Sequence, residues 1–276
     1  MNIEDIKDFI RNRALRCAGS CSSQGSMEFN ILNELYFDLF GEPAVNTIPQ
    51  YDNLAIKVNH IENGHEYVDL GLPSGTLWAT CNVGANKPEE YGGYYAFGEI
   101  SSKKNYDWDT YLDGDILRAS DCGTDKDILQ NMTNITASAE YDTAKVNWGG
   151  KWRMPTHAQQ KELLNRCYWV WTDSYNNSNV GGYIVYKAKN SWDKGKRIYK
   201  YETPHLSYSL EDVHIFLPAA GVHSNPGHNG YYWSSSLNAG YLSDAWYMFF
   251  SSVGVLDNFS HRYNGFTIRP VFNQKS

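Results

Sequence analysis

Apolar residues recur at helical spacing twice near the start of the chain, then give way to short β-like runs separated by turn residues. Ile3, Ile6, Phe9 and Ile10 share one face, with Asp5, Lys7 and Arg11 opposite, which predicts a helix over residues 3–16. The small-residue stretch 18–26 predicts a loop. Ile31, Leu32, Leu35 and Leu39 then mark a second helix, stopped by Gly41 with Pro43 just beyond. Two helices this short bury little apolar surface alone. Residues 1–60 therefore read as a helical appendage for docking or oligomerisation, with homo-oligomer contacts expected through residues 1–42, or as a cap on the main domain.

Asn59 to Gly64 reads as a linker. Beyond it, residues 67–79 predict two short strands around Pro73-Ser74-Gly75, residues 92–98 a turn and strand, and 103–138 a long polar excursion. The clearest helix signal is Thr156 with Gln159 three residues on, the pattern of a capping box. Leu163, Leu164 and Cys167 then form its apolar face, and Glu162 and Arg166 stand at i,i+4, where they can pair. The runs 215–221, 231–236, 245–250 and 265–271 predict successive strands. Gly-Tyr pairs at Gly93, Gly182 and Gly230 recur at unequal intervals, which excludes a regular repeat. Few helices, many short strands and long loops make the expected fold class α+β.

Composition sharpens this in three places. An apolar content of 42 % supports one sizeable core. The aromatic share of 15 %, with 21 Tyr and 9 Trp, suits either a recognition surface or a Tyr-rich β core. A net charge of −7 without a basic stripe argues against a nucleic-acid partner, and Lys194-Gly195-Lys196-Arg197 reads as solvated loop charge. No apolar run approaches the ~20 residues of a membrane span, so no membrane insertion is expected. The acidic, amphipathic start lacks the basic and apolar regions of a secretory signal, so a virion-associated or cytoplasmic location is expected. Cys17, Cys21, Cys81, Cys122 and Cys167 match no zinc spacing and fit reduced thiols or one optional bridge.

Six ordered blocks carry a resemblance. They are 67–79 (YVDLGLPSGTLWA), 95–99 (YAFGE), 148–156 (WGGKWRMPT), 216–221 (FLPAAG), 232–236 (YWSSS) and 265–271 (GFTIRPV). Together they resemble the Fibrobacter major-paralogous domain family, abundant in gut Bacteroidetes and their phages. The match runs in order over about 65–272 and leaves the first sixty residues outside. That family is similar to the C-type-lectin fold, the formylglycine-generating-enzyme superfamily and the variable proteins of diversity-generating retroelements. The resemblance implies a C-type-lectin-like ligand-binding domain over 65–272, with a small twisted sheet and a loop surface displayed near the C-terminus. In the retroelement proteins the varied positions precede the last strand, which here is 256–264.

That stretch has binding chemistry of its own. Phe259 and Tyr263 offer rigid contact area, while Asp257, Asn258, Ser260, His261 and Arg262 offer adaptable hydrogen bonds between two apolar strands. An ordinary polar hairpin would have the same composition. Tyr231, Trp233, Trp246 and Tyr247 could line the same surface, although strand alternation should turn about half of them inward. The expectation is that Asn258, Phe259, His261, Arg262 and Tyr263 face solvent on one contiguous surface.

The search for reactive chemistry nominates no catalytic residue, metal ligand or cofactor. The cysteine pair of formylglycine-generating oxidases has no counterpart after Cys167, and no His has Glu four residues later, as the related sulfoxide synthases need. His223 and His228 make an incomplete zinc site. Asp121, Asp125 and Asp127 lack the Gly and Glu of an EF-hand and read as a solvated acidic loop. The Glu-Pro-Asn and Trp-Asn-Asp signatures of calcium-dependent lectins are missing from the domain, and no phosphate-cradling or nucleophile-elbow motif occurs. Three functions compete. One is a non-enzymatic receptor-binding or adhesive protein, a retroelement-diversified one included, gripping a protein or glycan on a cell surface. The second is an assembly module acting through the N-terminal helices, and the third is a formylglycine-type enzyme lacking its metal ligands.

Overall fold

A computed structural model describes residues 60–114, 119–129, 132–204 and 208–273. The two helices expected within 3–42 lie outside the described residues. The described chain is of mixed class, mostly strands with two short helices, as an α+β fold requires.

The first sheet opens where a linker was expected. Strand β1 (Ile61–Glu62) turns at Asn63-Gly64, both with positive φ (45° and 83°), into β2 (His65–Val68). Asn-Gly is the two-residue hairpin signal, and the short flanking strands hid it. Strand β3 (Thr76–Ala79) pairs β2 antiparallel on one side and β11 (Val271–Asn273) on the other, so the two ends of the described chain meet in one sheet. The strand expected over 265–271 is mostly extended chain. Phe266 and Thr267 form single bridges to Tyr95 and Tyr232, and regular pairing starts only at Val271.

Helix α1 (Thr143–Trp148) is capped by Asp142, whose carboxylate accepts from Lys145 N–H. Helix α2 (His157–Arg166) starts with the capping box foreseen at Thr156 and Gln159. Glu162 does not pair with Arg166. It turns instead to Ser74, accepting from that residue's backbone N–H and hydroxyl, and so ties α2 to the β2–β3 turn.

The chain then builds a second sheet from β4 (Cys167–Thr172), β5 (Gly182–Lys187), β6 (Arg197–Ile198) and β7 (His214–Pro218), ordered β6-β4-β5-β7. The third sheet is a meander of β8 (Gly230–Leu237), β9 (Asp244–Ser251) and β10 (Gly254–His261), with β10 on its edge.

The two largest aromatic cores lie on opposite faces of the first and third sheets, and a third, with Tyr168, Tyr175, Tyr186 and Phe216, packs on the far face of the second. Adjacent residues divide between the two largest. Leu77, Trp233, Tyr247 and Phe272 enter one core, while Trp78, Tyr232, Met248 and Val271 enter the other, joined by Leu163 and Leu164 of α2. Strands buried on both faces need no polar alternation, which is why these segments read as continuous apolar runs. Much of the aromatic content is therefore core: Trp78, Trp152, Trp169 and Trp233 are fully buried.

Between the cores lies Arg269, also buried. Its Nε donates to Asn82 Oδ1 at 2.8 Å, Nη1 to the carbonyls of Ala79 and Thr80, and Nη2 to Phe216 O at 2.8 Å. One guanidinium thus joins the end of β3 to β7.

Candidate ligand-binding surface

Strand β10 begins after the Ser252-Val253 turn and pairs with β9 over its whole length, from Gly254↔Ser251 to His261↔Asp244. Most of the stretch 256–264, expected as a loop, is therefore strand. Its side chains alternate, and the single contiguous surface expected for them divides between two faces and one end.

On the face toward α2 lie Asp257 and Phe259, beside Trp246. The His157 ring stacks on the Trp246 indole (4.1 Å between centroids, 8° between planes) and its Nε2 bonds Asp257 Oδ2 at 2.7 Å. Lys161 Nζ stands 3.7 Å from the same oxygen. Burial works against ionising Asp257. The bonds from His157 and from its own backbone N–H, with Lys161 nearby, outweigh that and hold its carboxyl below the usual carboxylate value. Phe259 meets Trp246 edge-on at 5.4 Å and lies nearly parallel to Tyr241 at 5.7 Å. Phe259 is 38 % exposed and Tyr241 63 %, so the row runs from half-buried imidazole to open ring.

The other face carries Leu256, Asn258 and Ser260 alongside Tyr231, Tyr247 and Phe249. Asn258 is exposed and hydrogen-bonds the Tyr247 hydroxyl, which burial, with Tyr231 adding to it, pushes up to about 12. Asn264 Nδ2 donates to Ser260 Oγ at 2.8 Å, and Leu256 is exposed. Tyr231 is half-buried against Tyr247, Phe249 and Phe266.

At the strand's end, His261 Nδ1 bonds Asp244 Oδ1 at 2.7 Å. The His261, Tyr263 and Trp108 rings cluster there, with Trp108 and Tyr263 edge-to-face at 5.1 Å.

Two nominated residues are not surface residues. Arg262 is 0 % exposed. Its Nη1 and Nη2 grip Asp127 at 3.1 and 3.0 Å, Nη2 lies 2.8 Å from Cys122 Sγ, and the guanidinium covers the Tyr111 ring. Burial opposes its charge, but Tyr111, Asp127 and Cys122 raise its pKa. The reason is positional: β10 ends at His261, and the next side chain turns in among Tyr111, Cys122 and Asp127 of the polar excursion. Asp127, expected in a solvated acidic loop, is the buried counter-ion. Trp233 likewise belongs to the core, its Nε1 donating to the carbonyls of Tyr95 and Asn264.

Sequence reasoning missed His157, Lys161, Asp244, Tyr241 and Trp108. His157 and Lys161 come from α2 and Trp108 from the polar excursion, far from 256–264 in sequence, while Tyr241 and Asp244 come from the nearer turn into β9 and its first residue.

A cleft of about 390 Å³ opens elsewhere, around Glu99, Lys103, Glu140 and Tyr141, and none of the nominated residues lines it. No family model matches the chain, and neither curated proteins nor solved structures yield a match. Among the described residues no group of three or more His, Cys, Asp or Glu is placed to hold a metal ion, and no helix is long and apolar enough to cross a membrane. What the arrangement offers chemically is contact: rings, amides and imidazoles hydrogen-bonded to carboxylates around an open strand edge.

Proposed function

We propose that this protein is a non-enzymatic ligand-binding module that presents the β9–β10 hairpin to a protein or glycan on a cell surface. We further propose that its domain is C-type-lectin-like and akin to the Fibrobacter major-paralogous family and to retroelement variable proteins. One observation carries the reading. Leu256, Asn258, Phe259 and His261 are all exposed on one strand, while Val255 before them and Arg262 after them are buried. A strand pinned at both ends with varied side chains free between them is pre-organised for contact, which lowers the entropy lost on binding. The meeting of first and last strands in one sheet, with the presenting sheet made of consecutive late strands, supports the lectin-like assignment.

The test is a binding assay with fluorescently labelled protein on a panel of intact gut Bacteroidetes cells. Saturable binding is expected, and a variant with Leu256, Asn258, Phe259 and His261 all changed to Ala should lose it while still unfolding cooperatively, its midpoint lowered only by the lost bonds to Tyr247 and Asp244 and the lost packing on Trp246. Binding unchanged in that variant, or no cell bound by the parent, would overturn the reading.

A further inference from the structure

The chain has 24 Lys and Arg against 31 Asp and Glu, yet six of those cations lie between Lys187 and Lys200, where Asp193 is the one acid. Asp193 is buried and accepts a hydrogen bond from the Tyr208 hydroxyl at 2.7 Å, so its oxygen is directed inward. Three of the six cations are engaged. Lys189 pairs with Asp212 at 2.6 Å, Lys200 with Asp173 at 2.9 Å, and Arg197 donates to Leu164 O at 3.4 Å. Lys187, Lys194 and Lys196 are exposed and have no ion pair among the described residues, and the same holds for Arg166.

The fold gathers these four around the junction of α2 and β4. The β4–β5 register sets Lys187 opposite Cys167. Gly195 N–H donates to Cys167 O at 2.9 Å, and a Cβ on Gly195 would press on the Asn165 backbone at 3.1 Å. Lys194 and Lys196 therefore flank a glycine held against the last turn of α2, where Arg166 sits. Trp192 projects from the same turn and is 80 % exposed. That turn is fixed by Asp193 N–H to Asn190 Oδ1 and by Lys196 N–H to Asp193 O. Helix capping does not account for the cluster. Arg166 complements the helix dipole, Cys167 N–H bonds Leu163 O and Arg197 bonds Leu164 O, while neither Lys194 nor Lys196 donates its ammonium to a helix carbonyl among the described residues.

We propose that this turn is a second binding site, separate from the β9–β10 hairpin, for an acidic polysaccharide. The indole offers a flat apolar face to a sugar ring. The ammonium groups and Arg166 take its carboxylate or sulfate substituents, the guanidinium with two parallel donors. Over a screening length of about 8–10 Å these cations outweigh the chain's overall negative charge. A bilayer surface fits less well, because peripheral binding inserts several apolar side chains and Trp192 is the only large one in the turn.

The experiment titrates the full chain with a fluorescent heparin oligosaccharide across a salt series. In parallel arms it uses vesicles of mixed phosphatidylcholine and phosphatidylglycerol, and a short DNA duplex. Saturable heparin binding is expected at about 150 mM salt. The double variant K194Q/K196Q should weaken it at least about tenfold and flatten the log–log salt slope by about two, one per ammonium lost. Trp192→Ala should weaken it by about tenfold with the slope unchanged. Lys189→Gln, whose ammonium is already paired, should change neither, and unchanged thermal unfolding in every variant shows that the fold is intact. Absence of heparin binding, binding indifferent to K194Q/K196Q, or preference for vesicles or duplex would each overturn the proposal.

Discussion

Replacing Arg262 with Ala separates the buried-rivet reading from the surface-ligand reading of the same residue. The substitution removes both guanidinium bonds to Asp127, the contact with Cys122 and the cover over Tyr111, and leaves a carboxylate only 1 % exposed without its partner. Breaking one side of a buried ion pair costs about 3–5 kcal/mol, because the remaining charge stays desolvated. The backbone bonds at this position, Arg262 N–H to Ser243 O and Phe97 N–H to Arg262 O, survive, so no further loss is expected. For a domain of this size each kcal/mol moves the midpoint by about 2–4 °C, so Arg262→Ala should lower it by roughly 6–20 °C. The assay is thermal and urea unfolding at neutral pH, followed by circular dichroism, for Arg262→Ala, Asp127→Asn and the double variant Asp127→Asn plus Arg262→Met. The double variant should recover at least about 1 kcal/mol relative to the sum of the singles, since no buried charge is left unpaired. An exposed arginine would cost less than about 0.5 kcal/mol. A midpoint for Arg262→Ala within about 2 °C of the parent would refute the reasoning.

Three further outcomes are expected from other contacts. Asp257→Asn should destabilise by about 1 kcal/mol at neutral pH, by loss of its bonds to His157 and Lys161. Because the folded-state value of Asp257 is depressed, that contribution is complete above the usual carboxylate value and fades as pH falls through the folded one. The gap between parent and variant in urea titrations should therefore narrow as pH falls below the usual carboxylate value. Arg269→Lys should cost about 3 kcal/mol, since an ammonium cannot span Asn82, Ala79, Thr80 and Phe216 at once, and a loss under about 1 kcal/mol in urea unfolding would contradict this. Thr156→Ala should cost about 1 kcal/mol through loss of the bond from Gln159 N–H, visible as a midpoint shift of about 2–4 °C.

Short-range chemistry was legible in the sequence. The Thr156–Gln159 capping box, the strands around Pro73-Ser74-Gly75 and the apolar run into Pro218 all appear where local pattern predicts them. Long-range chemistry was not. Asp127 and Arg262 are 135 residues apart, and each sits in a polar stretch that looks solvated on its own. Glu162 had a correctly spaced partner in Arg166, yet the Ser74 turn offered two donors in a better position. Trp233 and Trp246 both lie on largely buried strands, and only their tertiary partners separate core from rim: Trp233 donates to the Tyr95 and Asn264 carbonyls inside, while Trp246 stacks on His157. The aromatic excess had two readings, and the fold uses both: fully buried tryptophans build the cores, while Tyr241, Phe259, Trp108 and Tyr263 remain near the surface.

That division bears on how the surface can vary. A displayed loop would let every residue from 256 to 264 change together, with the loop's own flexibility added to the cost of each contact. A paired strand behaves differently. The ladder to β9 fixes the backbone whatever the side chains are, so exposed Leu256 carries almost no structural obligation, and Asn258 and His261 carry only single hydrogen bonds, to Tyr247 and Asp244. The constraints fall on their neighbours. Val255 fills the core, Asp257 ties the strand to α2, and Arg262 neutralises Asp127. Gly265 must stay small because a Cβ there would overlap the Tyr106 ring at 2.7 Å. Composition could not reveal this, because polar residues occupy both sets of positions. Exposed residues and fixing residues are interleaved along one strand, so surface chemistry can change at the first set without the fold losing what the second set secures.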